Sequence, residues 1–219
     1  MTLATLPTLL GEDEALSLIA RTIQQSEADG IFVSVSSAES ALTRFSENQI
    51  TQNLSKNQLQ LTITSYFGRR SASCATTELD SEAIAQTLRR SEELARYAPE
   101  DPEWVPLLEA QTYETRRPGF DEATATVSPQ MRGEWVEAVT ARSRRAGADG
   151  SGTLSSNVSR SAAGNSAGMQ VCDRVTSADF SFTARIEDGS SWGCNSAVAI
   201  GELPLAETTQ TVIERACQS

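Results

Sequence analysis

Two stretches decide the fold: Ile31-Phe32-Val33-Ser34-Val35 and Leu59-Gln60-Leu61-Thr62-Ile63-Thr64-Ser65-Tyr66-Phe67. Apolar side chains occupy every second position: Ile31, Val33 and Val35, then Leu59, Leu61, Ile63 and, after a serine, Phe67. That period belongs to a strand with one buried face. Between them stand Ala41 through Phe45 and Ile50 through Leu54. The polar breaks Ser36-Ser37-Ala38-Glu39, Ser46-Glu47-Asn48 and Ser55-Lys56-Asn57-Gln58 are too short for crossover helices. They predict turns, and so an antiparallel meander over 31–77. Gly68 with Arg69-Arg70 reads as a hairpin tip, and Ser71 to Thr77 as the returning strand.

Helices are expected on either side. Glu12-Asp13-Glu14 suits a helix start, Leu16, Ile19, Ala20 and Ile23 form a stripe, and Gly30 would end the helix. Asp80 is the predicted cap of a second helix, with Ile84, Leu88, Leu94 and Ala95 facing inward. Further on, Ser128-Pro129 opens a third helix, with Met131, Trp135, Val136 and Val139 on its apolar side and an end near Ala146-Gly147. Strands are expected over 153–163, 169–175, 178–186 and 192–200. Glu187-Asp188-Gly189 is a hairpin signal. A last helix from about Leu203 carries Leu205, Val212, Ile213 and Ala216.

The two halves repeat an order. Ala28-Asp29-Gly30 returns as Ala148-Asp149-Gly150, Cys74 as Cys194, and Glu78-Leu79 as Glu202-Leu203. Five of the seven prolines, Pro99, Pro102, Pro106, Pro118 and Pro129, crowd the interval between, where neither a long helix nor a central strand tolerates them. The expected fold class is α+β: two similar helix–antiparallel meander–helix units, 1–98 and 129–219, joined by a proline-rich connector, 99–128. Trp104, Leu107, Leu108 and Tyr113 would pack the connector onto its neighbours.

Composition narrows the function. A chain of 219 residues is long enough to bury about 70% of its unfolded surface. No apolar run approaches the roughly 20 residues that span a bilayer. Met1 to Pro7 lacks the basic residues of a signal peptide, and the four cysteines form no close pair, so a cytoplasmic protein is expected. The net charge of −11 argues against direct nucleic-acid binding. The pairs Arg69-Arg70, Arg89-Arg90, Arg116-Arg117 and Arg144-Arg145 are scattered and read as solvated charge.

Reactive groups are scarce. There is no histidine, which removes Ser-His-Asp and Cys-His arrangements and every His-containing metal motif. The single lysine, Lys56, falls in a polar turn, where a solvated ammonium is expected. Cys74, Cys172, Cys194 and Cys217 lack zinc spacing and read as small buried side chains. The carboxylate pairs within Glu12-Asp13-Glu14, Glu92-Glu93, Glu100-Asp101 and Asp121-Glu122 fall at helix starts, on helix surfaces or in the connector. Gly147 to Gly152 and Gly164 to Gly168 do not run from strand into helix as a phosphate loop does. No catalytic, metal-binding or cofactor-binding residue is assigned, and no substrate-binding residue is singled out. What remains is antiparallel sheet with exposed edges, which accept an extended peptide or a second copy of the chain.

Three stretches resemble the N-terminal half of the TldD/PmbA family, the "modulator of DNA gyrase" metallopeptidases. They are Thr43-Arg44-Phe45-Ser46-Glu47-Asn48-Gln49-Ile50; Gly68-Arg69-Arg70-Ser71-Ala72-Ser73 continuing through Glu78-Leu79-Asp80-Ser81-Glu82-Ala83-Ile84-Ala85 to Ala95-Arg96-Tyr97 and Asp101-Pro102; and Gly164-Asn165-Ser166-Ala167-Gly168-Met169, similar to a Gly-Asn-Ser-x-Gly turn. The pattern looks closer to the PmbA branch. The resemblance implies a subunit in two parts, with zinc on an HExxxH helix in the second part of TldD-type members. It implies pairing into homo- or heterodimers, and proteolysis of extended or unfolded peptides. No HExxxH exists here, so zinc would belong to a catalytic partner or a further domain. The expected role is the non-catalytic half of such a subunit, shaping the substrate cleft and the dimer contact. The alternative is a free-standing peptide-binding or self-association module.

Overall fold

The computed structural model describes residues 9–113 and 119–219. Met1 to Pro7, the pair Arg116-Arg117 and Pro118 lie outside the described residues. The chain is mixed helix and antiparallel sheet, as the α+β reading expects. In order it runs α1 (Glu12–Gln24), β1 (Gly30–Ser46), β2 (Gln49–Phe67), β3 (Arg70–Thr76) and α2 (Ser81–Tyr97). It continues with α3 (Glu122–Ala125), α4 (Pro129–Arg145), β4 (Asp149–Asn165), β5 (Gln170–Ile186), β6 (Gly189–Ala197) and α5 (Leu205–Gln218). The order helix, three strands, helix thus occurs twice.

The strands form one six-stranded sheet in the order β3-β2-β1-β4-β5-β6, where two separate sheets were expected. The polar stretches read as turns are the reason. Ser36 to Glu39 and Ser55 to Gln58 carry no glycine or proline, and each continues as extended chain inside β1 or β2. Only Glu47-Asn48, with φ of 51° and 60°, turns the chain between them. Likewise 169–175 and 178–186 belong to the single strand β5.

The long strands serve two compact units, and those units do not follow the linear divisions 1–98, 99–128 and 129–219. The described part of unit 1 comprises residues 9–38, 57–113 and 159–174; that of unit 2 comprises 39–56, 119–158 and 175–219. Each half of the chain therefore keeps its helices and the roots of its strands, and gives the tip of its first hairpin to the other unit. The proline-rich connector is divided as well.

In unit 1, Ile31, Val33, Val35, Leu61 and Ile63 form one buried sheet face under Leu18 and Ile19 of α1 and Ile84 and Leu88 of α2. The buried side of α1 is Ala15, Leu18, Ile19 and Thr22, about one position round from the expected stripe. The helix ends before Gln25, and Gly30 begins β1 instead of closing α1. Asp80 caps α2 as expected, accepting from the Glu82 and Ala83 amides at 3.0 Å. Leu94 is exposed, while Glu92, read as a surface charge, is buried and accepts from Ser26 Oγ (2.7 Å) and the Glu27 amide (2.8 Å).

In unit 2, Leu154, Phe180, Phe182 and Phe45 meet Val136 and Val139 of α4 and Val212 and Ile213 of α5. Phe45 reaches this core from the β1–β2 hairpin and stacks on Phe182 with ring centroids 6.2 Å apart. Ser128 caps α4 through the Met131 amide (3.1 Å). Met131 itself is exposed, and the next residue, Arg132, takes the buried place.

Candidate functional site

The turn Gly164-Asn165-Ser166-Ala167-Gly168 builds one end of a cleft in unit 1. Asn165 is buried, and its Oδ1 accepts from the Ala167 (3.0 Å) and Met169 (3.1 Å) amides, which closes the turn. Gly168 has φ of +100°, a backbone that side-chain-bearing residues rarely adopt. Asn165 Nδ2 donates to the Leu108 carbonyl (2.9 Å), and Glu109 pairs with Gly168 as an isolated antiparallel bridge. The turn therefore ties down the first part of the connector. Ser166 closes the other side: its Oγ accepts from the Ile31 amide (3.1 Å), and its own amide donates to the Ile31 carbonyl (3.0 Å).

The β2–β3 hairpin tip forms the opposite wall. Gly68, at φ +57°, donates its amide to Asp29 Oδ2 (2.8 Å). The Arg69 carbonyl accepts from the Asp101 amide (2.8 Å), and the Arg69 guanidinium donates to the Pro102 carbonyl (3.1 Å). Leu107 lies so close to Gly30 that a Cβ there would stand 3.1 Å from Leu107 Cδ1. The open cleft measures about 320 Å³, and its lining includes Asp29, Tyr66, Trp104, Leu107, Glu109 and Ser166. Burial pushes the Tyr66 phenol above its ordinary pKa.

A second feature is an edge. The pairing of β3 to β2 begins at Leu61↔Thr76, so no strand of β3 accompanies Gln49 to Gln60. Residues 49–56 are all exposed, including Ile50 and Leu54, and Lys56 is the only charged side chain among them. Lys56 thus stands in an edge strand and not in a turn.

The remaining candidates stay apart. Cys74 and Cys172 are half-buried, but Cys194 and Cys217 are exposed, contrary to the expectation of four buried thiols. Cys194 pairs with Ser181, on the sheet face away from Phe180 and Phe182; Cys74 pairs with Ile63, on the core face. Their spacing of 120 positions is therefore no structural equivalence. Burial, then Glu12, pushes the Cys172 thiol up. Among the described residues no three Cys, Asp or Glu side chains gather as metal ligands. Zinc finds no fitting donor set there.

One buried polar centre escaped the sequence reading. Arg132 is 1% exposed. Its guanidinium donates to Thr43 Oγ1 (3.4 Å), the Val127 carbonyl (3.1 Å) and Asn53 Oδ1 (3.2 Å), and burial pulls its pKa down. An arginine between Met131 and Gly133 gave no periodic signal. Glu109 was likewise hidden among the prolines of the connector. Of the connector side chains expected to pack, Leu107 does so, whereas Trp104, Leu108 and Tyr113 are exposed.

With this geometry in view, solved structures provide a comparison. TldE from Thermococcus kodakarensis superposes with a TM-score of 0.80 at 14% identity, over 92% of this chain and 47% of that one. A candidate modulator of a DNA gyrase from Thermotoga maritima gives 0.81 at 10% identity, over 92% and 47%. A third, a candidate modulator of DNA gyrase from Bacteroides thetaiotaomicron, gives 0.81 at 14%, over 96% and 51%. This chain shares their fold. It spans about half the length of each of these solved chains. The likeness does not separate the PmbA branch from the TldD branch. No family model matches the sequence. No curated protein matches it either.

Proposed function

We propose that this chain is the non-catalytic part of a TldD/PmbA-type subunit, one that holds extended peptide for chemistry performed elsewhere. One observation carries the reading: likeness to TldE and the two candidate gyrase modulators extends over nine-tenths of the chain, at TM-scores near 0.8. The lack of histidine supports placing the reactive group outside these residues. The exposed stretch Gln49 to Lys56 supports peptide handling, because an unpaired strand offers main-chain donors and acceptors to an extended partner. A dimer contact with a related subunit belongs to the same proposal.

The test incubates the purified chain with an unfolded, fluorescently labelled peptide, with and without added zinc. We expect binding and an intact peptide. Robust cleavage by the chain alone would overturn the non-catalytic assignment. An unchanged anisotropy would remove the peptide role. The same exposed edge favours a second reading, self-association, for which sedimentation that shifts with protein concentration is the expected sign.

A further inference from the structure

Two carboxylates and two aromatic residues line the cleft of unit 1. Asp29 and Glu109 are both exposed, Tyr66 is half-buried, and Trp104 is 37% exposed. Among the described residues the ion pairs are those of Glu100, Glu27 and Glu137, so neither lining carboxylate has a basic partner. Arg69, on the hairpin tip that forms one wall, is engaged by the Pro102 carbonyl. The walls are built: Asn165, Ser166, Gly68 and the Asp101 amide hold them by hydrogen bonds to three separate segments. The volume of about 320 Å³ admits one long side chain and not a folded domain.

We infer that this cleft binds the cationic side chain of an arginine or lysine carried by an extended peptide. The chemistry follows from the lining. A cation is attracted to the faces of tryptophan and tyrosine rings, and carboxylates supply the counter-charge. The chain's net charge of −11 draws basic partners toward it and repels acidic ones. The inference rests on the peptide-handling reading and names the side-chain class that this end of unit 1 selects.

The test uses a small cation, so that it does not depend on main-chain pairing. Nα-acetyl-arginine methylamide is titrated into the intact protein while backbone amide and indole resonances are followed. Nα-acetyl-citrulline methylamide, of nearly the same shape but neutral, is the control. We expect saturable shifts at the Trp104 indole and at the Gly68 and Ser166 amides with the arginine compound, and none with citrulline. Glu109→Gln should weaken binding about two- to fivefold, and Trp104→Ala about three- to fivefold, typical losses for an exposed charge pair and an exposed cation–π contact. Both variants lie in the unit 1 part of the connector, and unchanged resonances for the core of unit 1, at Ile31, Val33, Leu61 and Ile63, would verify that they fold. Equal response to citrulline, no response to either compound, or full binding by both variants would overturn the inference. Failure of an unfolded neutral peptide to bind, with the arginine compound still binding, would instead remove the peptide reading alone.

Discussion

Arg132 concentrates much of what holds unit 2. A guanidinium taken out of water, with no ion-pair partner among the described residues, survives because three polar partners, Thr43, Asn53 and Val127, replace its hydration. Two of them sit on the β1–β2 hairpin, so the side chain ties that hairpin to α4. Arg132→Ala removes a donor from each of those oxygens, leaving Asn53 Oδ1 only the Thr43 hydroxyl, and opens a cavity. We expect a loss of about 3 kcal/mol, read from urea denaturation. The thiols offer a milder check. Burial raises the Cys172 pKa, which lowers its thiolate fraction at any given pH, whereas Cys194 is exposed. Alkylation followed by mass spectrometry should label the exposed Cys194 and Cys217 first, with Cys172 roughly tenfold slower, its rate climbing only at higher pH.

Among the elements, the meander face carries the plainest consequence. Ile63 is fully buried and stands on β2 opposite Cys74. Ile63→Asp places a carboxylate beneath α1 and α2, where nothing solvates it. We expect a cost above about 4 kcal/mol and loss of the unit 1 fold, seen as a collapsed thermal melt. A variant melting at the parental temperature would refute the face assignment. Gly152 gives the corresponding check on β4. A Cβ there would stand 2.0 Å from the Ser181 carbonyl oxygen and 2.8 Å from Phe45 Cζ, so the strands must separate to admit it. Gly152→Ala should lower the melting temperature by several degrees, roughly what 1–3 kcal/mol of overpacking costs in a chain of this size. These elements were legible beforehand because their cause is local. Alternation along 59–67, the Asp80 and Ser128 caps, and the Gly68 and Asp188-Gly189 turns each depend on a few neighbouring residues.

For the molecule as a whole, the exchange of hairpin tips decides what can fold alone. Unit 1 needs Ala162 in its core, Asn165 against its connector and Ser166 against Ile31; unit 2 needs Phe45 and Thr43. Residues 1–98 expressed alone lack the segment 159–174. We expect such a fragment to melt without cooperativity, and an equimolar mixture with 99–219 to recover part of the transition by circular dichroism. A fragment that melts cooperatively by itself would restore the linear division at 98.

The amino-acid sequence alone determined the alternation of helix and antiparallel strand, the repeated order of elements, the scarcity of reactive groups and the resemblance to TldD/PmbA proteins. Each is a matter of side-chain period, cap chemistry or residue type. Only the tertiary structure decided that the strands share one sheet, that each hairpin tip completes the other unit, and that Asp29, Trp104 and Glu109 line one cleft. Those facts turn on partners as much as 150 positions apart, as Leu10 and Arg160 are. Local pattern is blind to them, because a strand's alternation states which face is buried and not which segment buries it.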